Sequence, residues 1–131
     1  MLFRSIVTYT LDDKTTLTAN YDYGRETMAG SAAHWQGVAG YVKYQATKVI
    51  AVSPRFELFN DANGFTTKVP QKLKELTGTI EVKASDNLIW RIEFRRDWSD
   101  KTSFTGSDGK PTDNMQSIGF GVLYSFTGKI Q

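Results

Sequence analysis

Hydrophobic and polar positions alternate along this chain with a period of two. The segment Ile118-Gly119-Phe120-Gly121-Val122-Leu123-Tyr124-Ser125-Phe126 does so without a break. Ile118, Phe120, Val122, Tyr124 and Phe126 share one face, and Gly119, Gly121, Leu123 and Ser125 share the other. The first face is apolar, ends in aromatics and carries no charge, which suits either lipid or the half-buried interior of a soluble barrel. The pattern predicts seven strands, at about 5–11, 15–25, 34–45, 48–59, 72–84, 88–98 and 114–126. Most are near 11 residues, the length a tilted strand needs to cross a bilayer. Strands of soluble proteins are usually nearer 5–6. No segment sustains an apolar i, i+3, i+4 repeat, so no substantial helix is expected. The fold class is therefore all-β: an antiparallel up-and-down meander of about seven long strands, part of a transmembrane β-barrel, and an open curved sheet in this chain.

The predicted connections alternate in length. Asp12-Asp13-Lys14, Ala46-Thr47 and Ser85-Asp86-Asn87 are tight turns, two of them with Asx residues suited to turn geometry. The stretches 26–33, 60–71 and 99–113 are longer and rich in Gly, Ser, Asp, Asn and Thr. Short turns on one side and long loops on the other are the asymmetry of outer-membrane barrels. If Phe126 ends on the periplasmic side, every short turn falls there and every long loop lies outside. Pro54 interrupts the fourth strand, removes a ladder donor and implies a bulge or a locally unpaired position.

The faces differ sharply in chemistry. Leu88, Trp90, Ile92 and Phe94 oppose Arg91, Glu93, Arg95 and Asp97, and Ile50, Val52, Phe56 and Leu58 oppose Arg55 and Glu57. Alternation alone does not say which face points inward. Two features favour apolar-out. Tyr21, Tyr23, Tyr44, Trp90, Tyr124 and Phe126 gather near predicted strand ends, as interfacial aromatics do. The polar faces carry both signs at i, i+2 spacing, which suits cross-strand pairs in a wet lumen. Lys43, Arg55, Glu57, Glu75, Glu81, Arg91, Glu93 and Arg95 are thus the expected pore-lining residues, setting the field and ion preference of a lumen.

Composition narrows the classes. The chain has 131 residues, enough for one domain, and no Cys, so neither a disulfide framework nor a thiolate metal site is available. The net charge of +2 is too small to imply a nucleic-acid partner. No apolar run of 18 residues exists, which excludes a transmembrane helix. Mean hydropathy is −0.39, a value that conceals an alternating apolar face rather than excluding one. No signal-peptide pattern precedes the first strand.

Residues with catalytic or ligating chemistry are few. His34 is the sole histidine and has no partner for a metal or triad site. Asp97, Asp100, Asp108 and Asp113 do not match a calcium loop, and a solvated loop accounts for them. Gly106-Ser107-Asp108-Gly109 lacks the lysine and helix of a phosphate cradle. Glu81 and Glu93 are better explained as lumen carboxylates matched by Arg91 and Arg95 than as an acid/base pair. No enzyme activity, metal or cofactor is expected.

Several motifs carry a family resemblance. They are Tyr23-Gly24-Arg25-Glu26; Trp35 with Gly37 and Ala39-Gly40-Tyr41; Arg55-x-Glu57-x-Phe59; and Asp61 with Gly64-Phe65. Leu73-Lys74-Glu75-Leu76-Thr77, Asp86-Asn87-Leu88, Arg91-x-Glu93-x-Arg95-x-Asp97-Trp98-Ser99 and Tyr124-Ser125-Phe126 complete the series. In this order and spacing, over about 15–126, the chain resembles the C-terminal part of the putative β-barrel porin-2 family, described as OmpL-like. The resemblance implies a bacterial outer-membrane barrel that passes small solutes or ions passively through a polar lumen. Alternatives are a non-conducting structural or adhesion barrel and a soluble lipocalin-like ligand carrier.

The family's chains are several times longer and begin with a signal peptide, so this chain is expected to be a C-terminal fragment, a single domain over 1–131. An odd number of strands cannot close a single-chain barrel with both ends in the periplasm, which also points to further strands. Gly121, Tyr124 and Phe126 resemble a C-terminal assembly signal, although the chain runs five residues past Phe126. The expected partners are outer-membrane lipid, the barrel-assembly machinery and small solutes or ions. A homo-oligomer is compatible with the pattern, and nucleic acid is not expected.

Overall fold

The computed structural model describes residues 1–28 and 30–126. The tail 127–131 lies outside the described residues. The strands are β1 (Leu2–Thr10), β2 (Thr15–Met28), β3 (Ser31–Gln45), β4 (Ile50–Asp61), β5 (Gln71–Ser85) and β6 (Leu88–Ser99). The short β7 (Phe104–Thr105) and β8 (Pro111–Thr112) follow, and then β9 (Asn114–Tyr124). No helix is present among the described residues. Seven strands form one sheet in the order β1-β2-β3-β4-β5-β6-β9, every pair antiparallel; β7 and β8 form a separate small hairpin. This is the expected meander. It is not closed: β1 and β9 each have one neighbour, and they run in the same direction.

The tight turns form where the sequence places them. Asp12 accepts a hydrogen bond from the Lys14 backbone N–H at 2.8 Å, which holds its carboxyl below the ordinary carboxylate range. Asp86 is likewise held low by Lys83, whose ammonium lies 2.8 Å away. At 46–49 the Thr47 hydroxyl accepts from the backbone N–H groups of Val49 and Ile50.

The segment 26–33 corrects the sequence expectation. It is not a loop: β2 and β3 continue through it, pairing Arg25 with His34 and Met28 with Ser31. At the reversal Gly30 has φ of 86°, a left-handed value that glycine adopts without strain. The composition of 26–33 resembles a loop because its residues are small or polar, with Met28 the one large apolar residue and no alternation to mark a strand. Tyr21 and Tyr23 consequently sit inside β2 rather than at its end.

Pro54 does break the ladder as expected. The β3–β4 pairing stops at Tyr41↔Arg55 and resumes at Tyr44↔Val52 in the same register, while the β4–β5 side keeps Pro54↔Gly78. The interruption is thus a local gap and no residue is inserted.

Burial separates the two faces. On β5, which has neighbours on both sides, Thr79 is 8% exposed and the adjacent Ile80 is 46% exposed. Glu75, Thr77 and Asp97 are buried, whereas Phe56, Leu58, Leu76, Ile92, Phe94 and Phe120 are exposed. At mid-strand the charged and polar side chains crowd one another on the inner face of the sheet, and the large apolar side chains beside them face out. A soluble carrier requires the reverse, because water would meet an apolar surface far larger than single-chain soluble proteins display.

Candidate functional site: the charged inner face

Period-two geometry brings all eight expected pore-lining residues onto one face, since the register sets inward positions opposite one another on adjacent strands. They form two clusters. In the first, Glu57 and Glu75 stand directly opposite each other, a repulsive pair taken alone. Arg55 relieves it by ion-pairing with both. Arg95 flanks Glu75 on the other side at 2.9 Å and forks onto Asp97 with two hydrogen bonds of 2.8 Å. Thr77 donates to Glu75 at 2.7 Å, and the Tyr41 ring packs against the Arg55 guanidinium at 5.2 Å. Cations and carboxylates thus alternate across three strands: Glu75 is satisfied from two sides by Arg55 and Arg95, and Asp97 by the fork of Arg95 alone.

In the second cluster Glu81 receives Arg91 at 2.5 Å and Lys43 at 3.2 Å, which joins β3, β5 and β6. Glu93 accepts from the Thr79 hydroxyl at 3.1 Å. Glu81 and Glu93 are therefore each engaged by a different partner. Ala39 and Ala51, both buried, leave room beside the long side chains. A groove of about 290 Å³ runs between the clusters, touched by Tyr41, Arg55, Glu75, Glu81, Arg91 and Arg95.

The same face holds residues that sequence reasoning missed. Arg4 of β1 pairs with Asp22 at 2.5 Å, and Asn20 donates to Asp22 at 2.9 Å. The alternation places Asp22 inward, but its partner lies before the expected start of the first strand at residue 5. Asp61 is fully buried at the end of β4. It accepts from the backbone N–H groups of Phe65, Thr66 and Thr67 and from the Thr67 hydroxyl, at 2.7 to 3.0 Å. These bonds fold the loop 62–70 back toward the inner face, where the Phe65 ring stacks on Trp35 at 4.9 Å and 7°. An acid at a strand end, followed by Asn63-Gly64, was the available signal. Gln71 accepts from Ser99 and Ser103 and ties down the start of the next loop.

The expected interfacial aromatics Tyr21, Tyr23, Tyr44, Trp90 and Tyr124 all lie on the opposite, outward face. Phe126 falls just past β9, with its ring 6.4 Å from that of Tyr124. Gly121 faces inward opposite Arg91. Among the loop acids, Asp97 is engaged by Arg95, Asp100 accepts from the Lys72 N–H, Asp108 from the Lys110 N–H and Asp113 from the Asn114 amide. They do not converge. His34 sits on the outward face opposite Arg25.

Long antiparallel strands with a charged, self-paired inner face and an exposed apolar outer face define the wall of a membrane-spanning β-barrel. The model of the family described as "Putative beta-barrel porin-2, OmpL-like" matches residues 1–126, and the chain belongs to that family. Comparison with curated proteins and with solved structures gives no match. Membership implies a transport or structural role rather than catalysis.

Proposed function

We propose that these seven strands are one wall of a larger barrel in the bacterial outer membrane, and that its polar lumen passes small solutes or ions by diffusion. The carrying observation is the inverted burial: charged residues crowd inward while large apolar residues face out along the same strands. Because β1 and β9 run in the same direction, closure by antiparallel pairing alone takes an odd number of further strands. In this reading Lys43, Arg55, Glu57, Glu75, Glu81, Arg91, Glu93 and Arg95 line the pore. Tyr21, Tyr23, Tyr44, Trp90, Tyr124 and Phe126 contact the membrane interface, and Gly121, Tyr124 and Phe126 address the chain to the barrel-assembly machinery. The inner face carries Asp22, Glu26, Glu57, Asp61, Glu75, Glu81, Glu93 and Asp97 against Arg4, Lys43, Arg55, Lys83, Arg91 and Arg95, an acidic excess with which this wall favours cations.

A non-conducting structural or adhesion barrel is the second reading. It is favoured by the mutual neutralisation of the inner charges and by the loop 62–70 folding inward. Planar-bilayer recording of the whole protein decides between them. Discrete conductance steps with a cation-selective reversal potential support the channel. A correctly inserted protein that never conducts leaves the structural barrel.

A further inference from the structure

The outward face carries charge at one end only. Lys72 and Lys74 of β5 and Arg96 of β6 all lie on it, at the end nearest the long loops. The register sets Lys74 opposite Trp98 and Arg96 opposite Leu76, so the three cations occupy neighbouring and diagonal positions of one strand pair. The Arg96 guanidinium lies over the Trp98 ring at 4.9 Å. The strands place no acidic residue anywhere on this face. Among the described residues, none of the three cations has a carboxylate within ion-pair distance. The nearby Asp100 spends one carboxylate oxygen on the Lys72 backbone N–H. The Nε of Arg96 is buried and has no hydrogen-bond partner. A depression of about 640 Å³ opens here, lined by Phe56, Lys72, Lys74, Trp98, Ser99 and Asp100.

Beside and below the cations the face is apolar: Leu58 stands opposite Lys74, Phe56 and Leu76 lie level with Arg96, and Phe94 follows on the next rung. The short-turn end differs: Tyr44, Trp90 and Tyr124 stand there without any strand cation. Unpaired cations above an apolar strip match an anionic amphiphile. A guanidinium and two ammonium groups gathered on one strand pair complement the charge of a phosphate, and a tryptophan beside them marks the interface.

We propose that Lys72, Lys74, Arg96 and Trp98 bind the phosphate-bearing headgroup of a membrane lipid in the leaflet on the long-loop side, its acyl chains lying along Phe56, Leu58, Leu76 and Phe94. This rests on the reading of the apolar face as lipid-facing. Generic snorkelling of basic side chains would give a preference that follows total charge, lost equally in any variant that removes three cations.

The test inserts the whole protein into phosphatidylcholine vesicles containing either brominated phosphatidic acid or brominated phosphatidylcholine, and reads quenching of tryptophan fluorescence. The expected result is a preference of roughly ten-fold for phosphatidic acid. It should collapse toward one in the K72Q/K74Q/R96Q variant and persist in K14Q/K48Q/K83Q, which removes as many charges at the opposite end. Equal loss in both variants, no preference in the wild type, or abolition of the preference by free inorganic phosphate overturns the proposal. Efficient quenching by both lipids with no preference overturns it alone. Absence of quenching by either lipid overturns the lipid-facing reading with it.

Discussion

Trp35 lies across Gly24 on the inner face so closely that a Cβ added at Gly24 would stand 2.1 Å from the indole ring. The two are cross-strand partners on β2 and β3. The missing side chain of one is the seat of the other, a glycine covered by an aromatic ring in the way that stabilises strand pairs. The indole in turn carries Phe65, and so the loop 62–70. Gly24→Ala is expected to displace Trp35, unstack Phe65 and destabilise the protein by about 1–3 kcal/mol. Near-ultraviolet circular dichroism reports the lost stack and urea unfolding from vesicles reports the energy. Combining G24A with Trp35→Ala should cost less than the two changes summed, because the clash disappears with the ring.

Asp61 makes a separate prediction about the same loop. Its carboxylate collects three backbone N–H groups and a hydroxyl while fully buried. Asp61→Asn keeps the shape but removes the charge and turns an NH2 group toward donors. The expected cost is about 2 kcal/mol, felt locally in the loop. Amide hydrogen exchange at Phe65, Thr66 and Thr67 should accelerate and proteolysis within 62–70 should follow. Unchanged exchange at those three amides would show that the loop is held by Trp35 instead.

Alternation alone sorts the residues of each strand onto two faces, because the period of a strand is the same wherever it pairs. That is why Arg55, Glu75, Glu81, Arg91 and Arg95 could be grouped from the sequence. Which of them meet depends on register, and register is a property of strand pairs. The opposition of Glu57 to Glu75, with Arg55 reaching both, is therefore invisible in one dimension. So is the outward cluster: Lys72 and Lys74 open one strand, Arg96 nears the end of the next, and only antiparallel pairing makes them neighbours. The segment 26–33 defeated composition for another reason. Its residues are small or polar, with Met28 the one large apolar residue, so no period-two alternation marks the strands there. The packing of Trp35 on Gly24 is likewise a cross-strand event with no local signature.

Glu75 is the hub of the inner face, contacted by Arg55, Arg95 and Thr77. Glu75→Gln leaves two guanidinium groups facing each other. Their side chains are 26% and 45% exposed, so water screens them and the cost is expected at about 1–3 kcal/mol, below that of a fully buried pair. Arg55→Gln in the same chain should recover part of it, measured as a coupling energy in a double-mutant cycle. If the barrel conducts, loss of this carboxylate should also shift the reversal potential toward lower cation selectivity. A shift toward higher cation selectivity would remove Glu75 from the ion path.

The orientation of the two faces is open to a direct energetic test. Ile80 sits at the centre of β5, paired with Val52 and Ile92, and faces outward. In a bilayer an arginine there meets hydrocarbon, at a cost of about 2–4 kcal/mol. On a water-exposed surface the same change would fall within about 0.5 kcal/mol. Gly119 of β9 provides the comparison. It faces inward opposite Glu93, and nothing lies within 4 Å of a Cβ placed on it. Gly119→Arg should therefore find space, a carboxylate and a polar surrounding, and remain close to neutral. Unfolding of both variants from vesicles, compared with the wild type, should separate them by at least about 2 kcal/mol in that order. If Ile80→Arg were the milder of the two, the apolar face could not be the one that meets lipid, and the soluble carrier with its apolar face turned inward would become the better account.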